Sequence, residues 1–385
     1  MQAIHHINEL KQAAYSTYPQ LSLPKIERLN LNQWQLFDNP ENTPEIPSID
    51  QKQGDILICD FQTAIEKYPD LFINYLGQAL PLDDSSLSAY HLAHLSQGLF
   101  IYVPEGYHHH EKLEWTLDFS KQSHQYLLLV LGKRSQLSYL EKLINNTPSD
   151  FSQSYSLEVI LEEEAQLDYQ AIDQMKSHAS NILTRRSLIK DHAKVNWTIG
   201  AFNEGNSLED FDCKLSGLAA ESYLNITAIS NLSNHQVIDS KINNWGAHSI
   251  GHIKQYGAAI ESGRLSMNGI GKIHKNAKLA DAQQENRLLM LSDGARGDAN
   301  PILLIDEFEV TAGHAASIAQ VDQEQLWYLM SRGIPLIQAK FLVIRGFLMQ
   351  SVSQIKDPTI RQLLLDQLDI KLQSLTKEGD HHGPA

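Results

Sequence analysis

The chain has 385 residues, 42% of them hydrophobic, and a formal net charge of −15. This is ample apolar material for a large core, and the charge excludes nucleic acid or an anionic membrane as partner, since both demand a basic face. No apolar run approaches the roughly 20 residues that span a bilayer, and the start Met1-Gln-Ala-Ile-His-His-Ile lacks the basic and apolar regions of a secretory signal.

Residues 1–97 read as a helical segment. Ile7, Leu10 and Tyr15 have helical spacing, and residues 21–49 form a connector punctuated by Pro24, Pro40, Pro44 and Pro47. Asp60 is placed to cap a helix through Ala64, Ile65 and Tyr68; further helices start at Pro69 and Ser86 and end before Gly98. From Leu99 the apolar period changes to two. Strands are expected over Leu99–Val103, Lys112–Phe119, Tyr126–Leu131, Gln136–Leu140 and Tyr155–Leu161, and the series continues to Arg287–Leu291. No helical stretch of crossover length interrupts them, which disfavours a doubly wound α/β sheet. A solenoid sustains such a run because each coil buries its face only against its neighbours. The repeat is irregular, with no strict hexapeptide, so periodicity alone favours a β-helix only narrowly.

The pattern turns over within residues 308–333. β-branched and small residues surround His314, and a helical pattern begins at Asp322, a good N-cap with Gln325 placed for a capping box and Gly333 as a left-handed stop. Beyond Pro335, Ala339, Leu342, Val343, Phe347 and Leu348 form an apolar stripe, and Asp357-Pro358 opens a helix carrying Leu365, Leu368, Leu372 and Leu375.

The stretch His314-Ala-Ala-Ser317, then Asp322, then Tyr328-Leu-x-Ser-Arg-Gly333 resembles the C-terminal signature of the SufB/SufD family, scaffold proteins of the SUF iron–sulfur cluster assembly system. Gly98-Leu-Phe-Ile-Tyr-Val-Pro-Glu-Gly106, Met267–Ala277, Gln284–Ser292 and Asn300–Leu304 extend the likeness over roughly residues 98–350. The resemblance implies a mainly β fold: a right-handed parallel β-helix core (98–318) between an N-terminal helical segment (1–97) and a C-terminal helical segment (319–385). It implies a non-catalytic, cytoplasmic subunit of SufD type, paired with SufB and bound by the ATPase SufC, with a homodimer of the isolated chain as the alternative pairing. In the family the C-terminal helices bind SufC, a role carried to Tyr328, Met330, Arg332, Gly333, Arg345 and Phe347. His314 matches a family histidine tied to cluster assembly, and neutral imidazole is a common iron ligand.

This chain departs from the pattern at Ala312, where many family members carry Cys. Cys59 and Cys213 are the only cysteines, too few for a cluster that takes about four thiolate or histidine ligands. No cofactor is therefore expected on this chain alone. Iron or a nascent cluster would be shared with the partner subunit at His314, and ATP would sit on the partner ATPase, since no Gly-Lys-Ser/Thr phosphate loop occurs.

Other candidates have ordinary explanations. His108, His110 and Glu111 suggest a metal-binding strand, but the accompanying motif of such sites is missing and a solvated loop is the simpler expectation. His235, His248 and His252 fall in late strands, the last two spaced to share a face, and a polar surface ladder explains them without function. The rival readings are a SufB-type paralogue, a β-helix carbohydrate-active enzyme and a solenoid acyltransferase. The last two lack the carboxylate cluster and the hexapeptide period they need.

Overall fold

The computed structural model describes residues 2–379 except 28, 32–33, 35–48, 94–97, 120–123, 146–151, 177–179 and 354. The expected connector at 21–49 and the tail at 380–385 fall largely outside the described residues. The chain is a parallel β-solenoid of about seven turns with helices at both termini. Its helices are α1 (Gln2–Thr17), α2 (Phe61–Lys67), α3 (Pro69–Tyr75), α4 (Ser86–Ala93), α5 (Gln323–Ser331), α6 (Leu336–Val352) and α7 (Pro358–Gly379).

From Leu99–Val103 onward successive strands alternate between two sheets, with ten strands in the first and eight in the second among the described residues. In the second sheet Lys194 pairs with Glu221, Glu221 with Ile250, Ile250 with Asp281 and Asp281 with Thr311, so the coils run 27 to 31 residues there. The coils vary in length, and this is why no strict repeat is visible in the sequence. The first sheet starts inside the segment read as helical: Asp50–Gln53 and Ile56–Asp60 form a hairpin that pairs antiparallel with Leu99–Val103. His108–Glu111, expected in a loop, lies in the strand His108–Asp118, whose register shifts between His108 and Lys112. His108 and His110 stay exposed, and His108 Nε2 sits 3.0 Å from the Arg134 carbonyl oxygen.

One corner column holds the coils together. Arg134, Glu164, His192, Ala219, His248 and Leu279 all have φ between 51° and 60°, a left-handed conformation that costs a non-glycine residue about 1–2 kcal/mol. Each is followed by a small, fully buried residue: Ser135, Ala165, Ala193, Ala220, Ser249 or Ala280. The left-handed turn aims each amide at the next coil: Glu164 donates to the Asp191 carbonyl (2.9 Å), His192 to Leu218 (2.8 Å) and His248 to Lys278 (2.8 Å). The strain is offset by satisfying a backbone donor that the corner would otherwise bury.

Both outer faces are covered. α1–α4 pack over Phe100, Leu128, Val130 and Ile160 of the first sheet. The Glu158 carboxylate clips them in place, accepting from the amides of Gly77 (2.9 Å) and Ala79 (2.7 Å) and from the Tyr126 hydroxyl (2.9 Å). α6 and α7 pack over Ile172, Ile229, Tyr256 and Leu289 of the second sheet, tied by Arg345–Asp369 (2.9 Å), by Lys112–Asp357 (2.6 Å) and by Lys371 Nζ donating to the Asn203 carbonyl (2.7 Å).

The lumen, apolar through its middle coils, carries one charged cluster there. Glu141 accepts from the Tyr139, Tyr155 and Tyr169 hydroxyls, and Arg185 pairs with Glu209, all fully buried. Burial pushes the Glu141 and Glu209 carboxyls up, and burial with the nearby Glu209 raises Asp173 to about 7. One guanidinium thus serves several carboxyls, and Arg185 is the cluster's keystone. Arg185→Ala should cost about 3–5 kcal/mol by stranding Glu209, read as a lowered urea midpoint. Replacing both partners, Arg185→Met with Glu209→Leu, should cost less than half as much. Equal losses in the two variants would show that the pair contributes nothing as a pair.

Candidate functional site

The two ends of the solenoid differ. The first sheet begins with the antiparallel hairpin described above, but it ends at Arg296–Ile305, and the second sheet ends at Thr311–Gln320, with no further strand on either outer edge among the described residues. Strands of the middle coils are largely buried, whereas every residue of Arg296–Ile305 and of Thr311–Gln320 is at least partly exposed, Ile318 to 44%. The sequence Thr-Ala-Gly-His-Ala-Ala-Ser-Ile-Ala-Gln carries no Lys and no Pro, the usual devices that keep an edge strand from pairing. Pro301 sits in the last strand of the first sheet, where a missing N–H is tolerated. Between these strands Phe308 is 99% exposed at the tip of the loop Asp306–Val310.

His314 lies in this edge strand, opposite Gln284. Side chains in register on parallel strands face the same way, and Gln284 is buried, donating to the Ile302 carbonyl across the lumen (2.8 Å). His314 therefore tops an inward row that runs Tyr169, Trp197, Leu224, Ile253, Gln284, His314. Toward this end the row changes from apolar to polar, and its last member stands exposed at the mouth of the lumen. Ala312 opposes Ala282 two residues earlier on the same side, so the place where a thiolate could join His314 holds a methyl group.

Neither cysteine can substitute. Cys59 is buried beneath the N-terminal helices and Cys213 lies in the lumen; burial, with Asp60 and Asp50 nearby, pushes the Cys59 thiol up to about 12, and burial pushes Cys213 up to about 11. Among the described residues no group of three His, Cys, Asp or Glu side chains could hold a metal ion.

The other histidines do not join His314. His235 opens a strand of the first sheet, its Nε2 3.4 Å from Ser266 Oγ; burial, and then Arg264, lowers its pKa. His248 is a left-handed corner residue and not a strand residue, so it shares no strand face with His252. His252 Nε2 lies 3.0 Å from the Asp281 carboxylate and its ring meets Tyr223 edge-on.

The chain leaves the solenoid without slack. Val321 donates to the Met290 carbonyl (3.0 Å), extending the ladder, and the Asp322 carboxylate accepts from the Glu324 amide (2.9 Å) to start α5. The helix ends with Gly333 at φ +85°; Gly333 donates to Met330 (2.9 Å) and Ile334 to Leu329 (3.3 Å), the two bonds of a Schellman stop. The six residues assigned to docking divide into two sets. Tyr328 (60% exposed), Met330, Arg332 and Gly333 lie outward, with Arg332 over the Tyr328 ring at 5.3 Å. Arg345 pairs with Asp369, and Phe347 packs against Tyr256 at 6.0 Å, so both fasten α6 to its neighbours. Trp327 (67% exposed), Leu336, Ile337 and Leu342 complete the outward apolar face. Of these, Leu342 was expected in the apolar stripe of α6 and proves exposed, while Trp327, Leu336 and Ile337 were not singled out in the sequence, although the adjacent Trp327-Tyr328 and Leu336-Ile337 pairs make these helices apolar beyond one buried stripe.

This division predicts opposite outcomes on the isolated chain. Phe347→Asp should destabilise the C-terminal helices by about 3–5 kcal/mol, as large-to-small core losses do, and open Leu336–Val352 to proteolysis. Tyr328→Asp should change stability by no more than about 0.5 kcal/mol. Thermal melts followed by circular dichroism decide it, and equal effects would contradict the assignment.

Residues 116–347 match the family model described as SUF system FeS cluster assembly, SufBD core domain. The chain is 33% identical over 352 residues to the iron–sulfur cluster assembly protein SufD of Bacillus subtilis, covering 88% of this chain and 79% of that protein. It is 23% identical over 345 residues to a SufBD family protein of Staphylococcus saprophyticus, covering 89% and 74%. To the Bacillus subtilis protein SufB it is 22% identical over 345 residues, again covering 89% and 74%.

Proposed function

We propose a function on the premise that this chain belongs to the SufB/SufD family of SUF-system iron–sulfur cluster assembly proteins: it is the SufD-type partner subunit of a cytoplasmic SufB–SufC–SufD complex. The chain is SufD-like, being 33% identical to the Bacillus SufD and 22% to the Bacillus SufB. The observation that carries the reading is the open end of the solenoid. Two unpaired edges, an uncharged strand and an exposed Phe308 form a surface suited to continuing each sheet into a second solenoid, the role we assign to SufB.

His314 faces that surface from the mouth of the lumen. Without a thiolate at Ala312 it can offer one imidazole, so iron or a nascent cluster is cargo whose remaining ligands come from the partner. The outward face of Trp327, Tyr328, Met330, Leu336 and Ile337 is assigned to SufC. α5 follows Thr311–Gln320 after only Val321 and Asp322, so a pull on α5 by an ATP-driven SufC dimer is transmitted to the strand that carries His314. The chain itself is assigned no catalytic step.

Co-expression with SufB and SufC tests each part. Ile318→Asp should weaken SufB pairing at least tenfold, and Trp327→Asp with Tyr328→Asp should do the same for SufC, each leaving the other contact intact. His314→Ala should leave the complex assembled and lower its iron content and cluster yield. Failure of the wild-type chain to co-purify with either protein would overturn the proposal; an unchanged cluster yield in the His314 variant would remove the metal role alone.

A further inference from the structure

On the outer face of the first sheet one row of side chains stays in register across successive strands: Thr184, Asp210, Asp239, Asn268 and Asn300. Its later members are joined by hydrogen bonds that all run one way. Asn300 Nδ2 donates to Asn268 Oδ1 (3.0 Å), and Asn268 Nδ2 donates to Asp239 Oδ1 (2.8 Å). Next to Asp239 in the row, Asp210 is paired with Arg186 (2.7 Å). Burial, and then Asp210, pushes the Asp239 carboxyl up to about 6, which leaves it ionised at neutral pH. The ladder is therefore rooted in a carboxylate, and each bond polarises the next amide into a stronger acceptor.

The ladder stops at the open edge. Asn300 lies half-buried in Arg296–Ile305, the last strand of this sheet. Its nitrogen is committed to the coil behind it, and among the described residues its oxygen accepts from no group. In stacked Asn and Gln ladders an amide that donates to one neighbouring strand turns its oxygen toward the other. Both earlier acceptors of this ladder, Asp239 and Asn268, are served by the coil that follows them.

Pairing at this edge needs a register signal. A slip of one residue turns every side chain of an incoming strand to the wrong face. A slip of two keeps both faces, so alternation of apolar and polar residues does not resist it. On its outward face the edge strand carries Asp298, Asn300, Ile302 and Leu304, and Asn300 is the one amide among them.

We propose that Asn300 sets the register of the strand that continues the first sheet, and that this strand presents a side-chain N–H or O–H donor opposite it. The amide ladder then runs unbroken from this chain into its partner. A single Asn that fixes register within an apolar contact has the same logic in coiled coils. The inference rests on the reading that SufB completes the open end, and it adds the residue that aligns the two chains.

The test uses the full chain with SufB, the exposed Leu304 being replaced by a photo-crosslinking amino acid. With Asn300 present, a single SufB position should be labelled. Asn300→Leu should bind SufB at least tenfold more weakly and label positions two residues apart. Asn300→Ser, small, polar and too short to reach Asn268, should do the same and guards against a leucine variant that fails to fold. Undiminished affinity with a single label in the folded variants would overturn the inference while leaving SufB pairing intact. A parent chain that neither binds nor labels SufB would instead remove the pairing on which the inference rests.

Discussion

Every feature of this protein follows from a single constraint: each coil can satisfy its backbone only by pairing with the coil before and the coil after it. Within the solenoid the constraint is met twice, by the parallel ladders of the two sheets and by the column of left-handed corner residues whose amides reach the next coil. At the start it is met by an antiparallel hairpin laid along the first sheet. At the end it is not met by any described residue. The last strands are left with open edges and partly exposed aliphatic side chains, and the functional histidine candidate lies in one of them.

The two helical segments do different work. α1–α4 are locked to the first sheet by a fully buried carboxylate, Glu158, that acts as a cap for the loop 77–80. α6 and α7 are joined to each other by Arg345–Asp369 and locked to the solenoid by an apolar seam and two tethers, Lys112–Asp357 and Lys371 to the Asn203 carbonyl. Of the three C-terminal helices, α5 presents its adjacent aromatic residues, Trp327 and Tyr328, outward. A partner gripping α5 therefore holds an element that leads directly into the edge strand, and the mechanical coupling proposed here depends on that continuity.

The fold was legible in the sequence where side chains alternate against a neighbouring coil, and helices where a cap or proline fixed their start: Asp60 accepts from the Thr63 amide, Pro69 opens α3, and Gly333 stops α5. What stayed hidden was set by position along the solenoid. The left-handed corners are occupied by Arg134, Glu164, His192, Ala219, His248 and Leu279, none of them the Gly or Asn that normally announces such a turn. The legible signal was instead the small buried residue that follows each of them, at intervals too uneven to suggest a repeat. This is why His248 looked like a strand residue. The hairpin at 50–60 was hidden because its strands are four and five residues long and flank an expected helix cap. Phe347 fell within the apolar stripe of α6 and looked equally suited to docking or to core; contact with Tyr256 distinguishes them. That His314 faces the lumen depended on the pairing register with Gln284, which no local pattern contains.

The central claim is that the open edge of the second sheet is completed by the partner subunit. The direct measurement is hydrogen exchange of the amides of residues 311–320, in the isolated chain and after addition of SufB. Pairing predicts that the outward-pointing amides, fast in the isolated chain, become strongly protected in the complex. A complex that forms while these amides exchange at their original rate would contradict the account.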